Sequence, residues 1–203
     1  MAIFAAMNDT LTPFGPPTAT ASDATAGRVE HSALRLPLPT ECAAFTGHRS
    51  YRREADDALL RTIAALRAEG VHTFLNGMAA GFDLAAAEAV LACRADDPTI
   101  RLIAALPFPD QAKRFPAQVR RRYEAVLAAA DGEIVLCDRF HKGSYLKRDN
   151  WLVGHAATLV TWYDGSAGGT RYTIRQAHLC GRRLIHLHPH TPRELQPLPE
   201  LFG

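Results

Sequence analysis

From residue 41 onward, short apolar runs alternate with longer stretches whose apolar residues recur at helical spacing, and this alternation restricts the fold more than any other feature of the chain. The runs are Cys42–Thr46, Thr73–Asn76, Arg101–Leu106, Glu133–Cys137, Thr158–Tyr163 and Arg183–Leu187. Helical stretches lie between them near 52–69, 83–95, 111–130, 145–156 and 170–181. In the first of these, Leu59, Ile63 and Leu66 repeat at the period of one helix face. Gly70 and Gly181 are natural stops for the helices before them. Strands that are apolar along their whole length are covered on both faces. The alternation therefore predicts an α/β fold in three layers, a doubly wound parallel sheet with helices on both faces and right-handed crossovers.

Residues 1–38 carry few charges, are rich in Ala, Thr and Pro, and show no period. They read as a flexible extension that can dock through Phe4, Phe14 or Leu34. Residues 39–192 form the expected domain and 193–203 a tail; 203 residues suffice for one such domain with a sizeable core. With 23 basic and 21 acidic residues the net charge is +2, so no global field draws the chain to nucleic acid, although Arg49–Arg53 and Arg120–Arg122 are local basic clusters. Cys42, Cys93, Cys137 and Cys180 are far apart with no CxxC pair, which argues against a metal site. Three of the four sit in apolar surroundings, so they read as reduced, buried thiols of a cytoplasmic protein. No apolar run approaches the roughly 20 residues of a membrane span, and the N-terminus lacks the basic region of a signal peptide.

In an open parallel sheet, ligands bind beyond the carboxyl ends of the strands. The informative residues are therefore those that follow each run. Strand one leads into Gly47-His48-Arg49, and strand two into Asn76 to Asp83, with Gly77, Met78, Ala79 and Gly81. Strand three leads into Leu106 to Gln111, with Pro107, and strand four into Asp138 to Asn150, with Arg148. Strand five leads into Asp164-Gly165-Ser166-Ala167-Gly168-Gly169-Thr170. The second and fifth loops are glycine-rich turns opening onto helices. There the bare backbone permits close approach, and the free N–H groups of the helix start attract anions. The Thr170 hydroxyl adds a donor. Two such turns on one sheet point to a nucleotide or sugar-phosphate site. No Lys-Ser/Thr follows either turn and neither fits GxGxxG, so both the P-loop and the standard dinucleotide fingerprint are absent.

Arg49 and Arg148 stand where a phosphate needs a bidentate partner. Asp83 either caps free N–H groups and favours the helix dipole, or bonds a ribose hydroxyl or base. His48 is expected to orient its loop rather than titrate in catalysis. Trp162 and Tyr163 read as wall or core residues, with stacking on a base as the alternative.

Read in order, "FTGHR", "NGMAAGFDLAAAEAVL", "LPFPDQ" and "YLKRDNWLVGHAATLVTWYDGSAGGTRYTIRQA" resemble the YpsA-like proteins of the SLOG superfamily over about residues 42–188. The resemblance implies a Rossmann-like fold and kinship with the LOG-type phosphoribohydrolases and with the Rossmann domain of DprA, which binds single-stranded DNA. It is also the warrant for expecting a homodimer. In the LOG pattern an Arg precedes, by about ten residues, an Asp that opens a strand, followed by a PGGxGTxxE loop. Here Arg148 matches the Arg, Ala157 replaces the Asp, and none of Arg171–Thr173 is acidic where the glutamate belongs. Glycoside cleavage needs a carboxyl group near the scissile bond, so Asp164, Glu88 or Asp83 would have to supply it, with Arg148, from another position.

Three functions follow as expectations. The first is binding of a nucleotide or nucleotide-derived ligand such as an ADP-ribose-like compound, through Gly47, His48, Arg49, Gly77, Met78, Ala79, Gly81, Asp83, Pro107, Gln111, Arg148, Asn150, Asp164, Gly168, Gly169 and Thr170. The second is N-glycosidic hydrolysis of nucleoside 5′-monophosphates, with Arg148, Glu88 and Asp164 as catalytic candidates. The third is single-stranded DNA binding along Arg52, Arg53, Lys113, Arg114 and Arg120–Arg122. This third reading is the less favoured, since Arg120–Arg122 also fit a solvated helix face.

Overall fold

The computed structural model describes residues 35–190, 192 and 195. The proposed extension, with Phe4, Phe14 and Leu34, lies outside the described residues except for 35–38, as does the tail except for Leu195.

Six strands form one parallel sheet: β1 (Cys42–Gly47), β2 (Thr73–Asn76), β3 (Arg101–Leu106), β4 (Gly132–Val135), β5 (Thr158–Trp162) and β6 (Arg183–His186). Five helices connect them: α1 (Asp56–Ala68), α2 (Phe82–Asp96), α3 (Ala117–Ala129), α4 (Ser144–His155) and α5 (Gly169–Leu179). The strand order is β4-β3-β2-β1-β5-β6. The chain walks outward from β1 to β4, then returns to place β5 on the other side of β1. That reversal, between β1 and β5, is the switch point where an open α/β sheet leaves a crevice.

Alternation along the strands sorts the core into two layers. Ala43, Phe45, Phe74, Leu102, Ala104 and Val160 pack with Leu59, Ile63 and Leu66 of α1, Phe82 and Val90 of α2 and Val126 of α3. On the other face, Ala44, Leu75, Ile103, Ala105 and Leu159 pack with Leu152 and Val153 of α4 and Ala177 of α5. Phe45 anchors the first layer, its ring 6.0 Å from Phe74 and 6.5 Å from Phe82. Truncating so buried an aromatic costs about 3–5 kcal/mol.

The helix boundaries differ from the sequence expectation in two places. The first helix starts at Asp56 rather than 52, because Arg53 adopts φ 77° and the Ala55 N–H donates to the Tyr51 hydroxyl. The stretch 111–130 is split. Gln111–Arg114 form a 3-10 turn, and α3 begins after Pro116, which has no N–H to continue it. Of the thiols, all free, only Cys42 is buried; Cys93 and Cys137 are half-buried, and Cys180 is exposed at the end of α5. The expectation of three buried cysteines is thereby corrected. Among the described residues no helix is long and apolar enough to cross a membrane.

Candidate functional site

At the carboxyl ends of β1 and β5 lies a crevice of about 470 Å³, lined by Thr46, Gly47, His48, Arg49, Ser50, Ala79, Asp83, Tyr145, Arg148, Gly169 and Thr170. It brings together Gly47, His48, Arg49, Ala79, Asp83, Arg148, Gly169 and Thr170 from the sequence expectation. The α5 N-terminus opens here without a side-chain cap, so its first-turn N–H groups lack helical acceptors.

Arg148 dominates the electrostatics. It is only 6% exposed, so its charge must be matched locally. Its Nε donates to Asp149 Oδ1 at 2.7 Å, and Nη1 donates to the Gly77 carbonyl. The remaining terminal nitrogen, Nη2, makes no hydrogen bond among the described residues, and the residue lines the crevice. Gly77 is bare for this arginine: a Cβ there would stand 2.7 Å from Cζ of Arg148. Gly81 likewise yields to the His48 carbonyl, 2.5 Å from where a Cβ would lie. Gly168 differs. Its φ of 155° suits glycine, and a Cβ would meet nothing within 4 Å, so the space beside this turn is open. One glycine-rich turn is thus filled by the protein itself, and the other is open beside Gly168.

Asp83 is 4% exposed, and its Oδ1 accepts from the Gly47 N–H at 3.1 Å. The carboxylate therefore ties the end of β1 to the β2–α2 turn and makes no side-chain cap for α2. Burial pushes its pKa up to about 7, with Arg148 opposing and Asp149 adding to the rise. Burial raises Asp149 too, against the pull of Arg148. Asn76, fully buried, holds the turn: its Nδ2 donates to the Asp83 carbonyl and its Oδ1 accepts from Met78, which sits at φ 55°.

The other expected residues lie elsewhere. Met78 and Pro107 are buried, and Gln111 donates to the Met78 carbonyl at 3.1 Å. Asn150 accepts from the Tyr172 hydroxyl at 3.0 Å and so links α4 to α5. Asp164 lies 3.0 Å from His48 Nε2 and bonds Ser166, which lowers its pKa. The His48 ring stacks on Tyr163 at 5.3 Å, and burial lowers its pKa despite Asp164. Glu88 is gripped by Arg122 at 2.7 Å and Arg53 at 3.0 Å, and fastens α2 to α3 and to the turn before α1. Trp162 and Tyr163 are buried, which leaves no open face for a base. Sequence reasoning missed Thr46, Ser50, Tyr145 and Asp149. Only Tyr145 had a legible signal, three residues before Arg148 and hence on the same face of α4.

A doubly wound parallel sheet with a polar crevice at its reversal point defines a Rossmann-like α/β protein. The family model described as the YspA SLOG family (YpsA) matches residues 39–182, and the chain belongs to that family. It is 32% identical over 149 residues to the SPbeta prophage-derived protein YoqJ of Bacillus subtilis (strain 168), covering 66% of this chain and 86% of that one. It is 27% identical over 115 residues to the UPF0398 protein YpsA of the same organism, covering 56% of this chain and 64% of that protein. Among solved structures, DNA processing protein A (DprA) from Streptococcus pneumoniae matches with a TM-score of 0.54 at 17% identity, over 79% of this chain and 53% of that one. DNA processing protein A from Helicobacter pylori, solved for its single-stranded DNA binding mode, matches at 0.52 and 20%, over 74% and 65%. The chain thus spans only part of both structures, and at these identities the likeness is one of fold.

Proposed function

We propose that the crevice binds a nucleotide or nucleotide-derived ligand, ADP-ribose-like compounds included, by its phosphate. The observation that carries this reading is the pairing of a buried, pre-oriented arginine with the uncapped N-terminus of α5 across one polar crevice. Two of Arg148's donor nitrogens are held by the protein and the residue lines the crevice, so little side-chain entropy remains to be lost on binding. Helix N-termini favour anions through their free N–H groups and dipole. Calorimetric titration of the folded full-length protein with AMP, GMP, ADP-ribose and NAD, with inorganic phosphate as competitor, tests it. Salt-sensitive, phosphate-competed binding of at least one ligand is expected; no binding by any of them rejects it.

One observation favours a second reading, hydrolysis of nucleoside 5′-monophosphates. Asp83 is one of the residues lining the crevice, and burial pushes its pKa up to about 7, which keeps a proton available near neutral pH, as an acid catalyst requires. Neither Glu88 nor Asp164 lines the crevice; Glu88 is held by Arg122 and Arg53, and Asp164 by Ser166 and the lining residue His48, so Asp83 inherits the role. Free base detected by chromatography supports this reading, and its absence across purine and pyrimidine monophosphates refutes it. Single-stranded DNA binding has only the shared fold behind it, and Arg53 and Arg122 of its proposed track are committed to Glu88. A salt-sensitive gel shift with oligo-dT would revive it. The four free thiols suit the reducing cytoplasm, and light scattering on the purified protein tests the homodimer.

A further inference from the structure

An anion site alone does not separate a nucleotide from any other phosphate ester, and an aromatic group that meets the crevice lining at Tyr145 bears on that choice. Phe140 is 62% exposed, the one aromatic among the large exposed hydrophobic residues described. It lies in the loop from β4 to α4, and hence at the same carboxyl end of the sheet as the crevice. Its ring is held edge-on by neighbours. Its centroid lies 5.3 Å from Phe108 and 6.3 Å from Tyr145, and those two rings lie 5.5 Å apart. Phe108 is 6% exposed and anchors the group to the core.

The loop itself is tied down. The His141 N–H donates to Ser144 Oγ at 2.9 Å, the Gly143 N–H to His141 Nδ1 at 3.1 Å, and Lys147 Nζ to the Leu136 carbonyl at 2.6 Å. Tyr145 lines the crevice and links this aromatic group to Arg148, one turn further along α4. An aromatic ring packed on Tyr145, itself part of the crevice lining, suits a flat, apolar, polarisable group covalently joined to a phosphate. In a nucleotide that group is the base, and base stacking tolerates any base because every base has a π-face.

We infer that Phe140, supported by Tyr145, is a base-stacking platform, so that the crevice selects nucleotides over sugar phosphates and free phosphate. This rests on the anion-site reading above. The test uses the full-length protein and its Phe140→Ala and Phe140→Trp variants, each titrated calorimetrically with AMP, GMP, UMP, ribose 5-phosphate and inorganic phosphate. Phe140 is exposed, so both variants should fold, and circular dichroism checks this. The wild type should bind at least one nucleotide more tightly than ribose 5-phosphate. Phe140→Ala should weaken nucleotide binding by about 5- to 100-fold and leave ribose 5-phosphate binding unchanged. Phe140→Trp should retain nucleotide affinity, with its indole fluorescence quenched on binding. Equal nucleotide affinity in wild type and Phe140→Ala overturns the platform while the anion site stands. So does an equal loss for nucleotides and ribose 5-phosphate, which would mark general damage to the loop. If the wild type binds none of the five compounds, the anion-site reading itself fails, and this inference with it.

Discussion

Replacing Asp83 by Asn should change how stability depends on pH. An aspartate in the unfolded chain ionises near 3.8, whereas Asp83 in the fold ionises near 7 because burial penalises its charge more than Arg148 relieves it. Between those values the folded chain holds a proton that the unfolded chain has lost. Stability contributed by this group therefore falls as pH rises, by about 1.4 kcal/mol per pH unit, until both states are ionised. The interval of about three units makes the penalty above pH 7 about 4 kcal/mol. Asn cannot ionise. Its amide oxygen can still accept from Gly47, but its Nδ2 replaces a carboxyl oxygen in a buried place, at a pH-independent cost of about 1–3 kcal/mol. The assay is urea denaturation followed by circular dichroism at pH 5, 6, 7 and 8, and the quantity to read is the variant's stability minus the wild type's. His48 and His186, both lowered chiefly by burial, pull the opposite way but titrate in both proteins and cancel in the difference. The difference should rise in the variant's favour by about 2 kcal/mol between pH 5 and pH 7. A difference that stays flat would mean that Asp83 is ionised in the fold throughout, and would remove the acid on which the hydrolase reading depends.

Gly77→Ala should push the Arg148 guanidinium off the Gly77 carbonyl, costing about 3–5 kcal/mol as a buried ion pair is disturbed, and should abolish AMP binding; an unchanged urea midpoint would contradict the packing described. Gly47→Ala would place a Cβ 2.5 Å from Phe82 and should lower the melting temperature, whereas Gly154→Ala, with nothing within 4 Å and a position in α4, should raise stability by up to about 1 kcal/mol. Glu88→Gln should cost roughly 1 kcal/mol, because the network it joins is partly solvated, and should leave ligand binding unchanged; loss of binding would return Glu88 to the site. In native protein treated with a thiol reagent, Cys180 should react and Cys42 should not until the chain unfolds, since burial pushes the Cys42 thiol up to about 11.

The layers of this fold were legible because strand and helix periods are local properties of a chain. Each of the six strands overlaps the run expected for it, although β4 begins at Gly132 rather than Glu133. The errors lie where tertiary contacts override the pattern. Helix α1 starts late because Arg53 and the Tyr51 hydroxyl shape the turn before it, and no periodicity encodes that. Pro116, by contrast, is a break written in the sequence, and the expected helix over 111–130 runs through it. Within the candidate site, loops at one end of a parallel sheet had to converge, so the general location followed from topology. What each residue does there did not. Gly77 is bare to admit an arginine 71 positions further on, and Asp149 pairs with its own neighbour only because the fold buries both. Such burial depends on which helix face meets the sheet. Phe140 looked like any loop aromatic until its contacts with Phe108 and Tyr145 were seen.

The proposed anion site lies between Arg148 and the start of α5. A ¹H–¹⁵N NMR titration of the full-length protein with AMP examines that place directly. Saturable shifts should concentrate on the backbone amides of Gly168 to Arg171 and on the Arg148 Nε–H. Shifts confined to another face, or none at millimolar AMP, would contradict it.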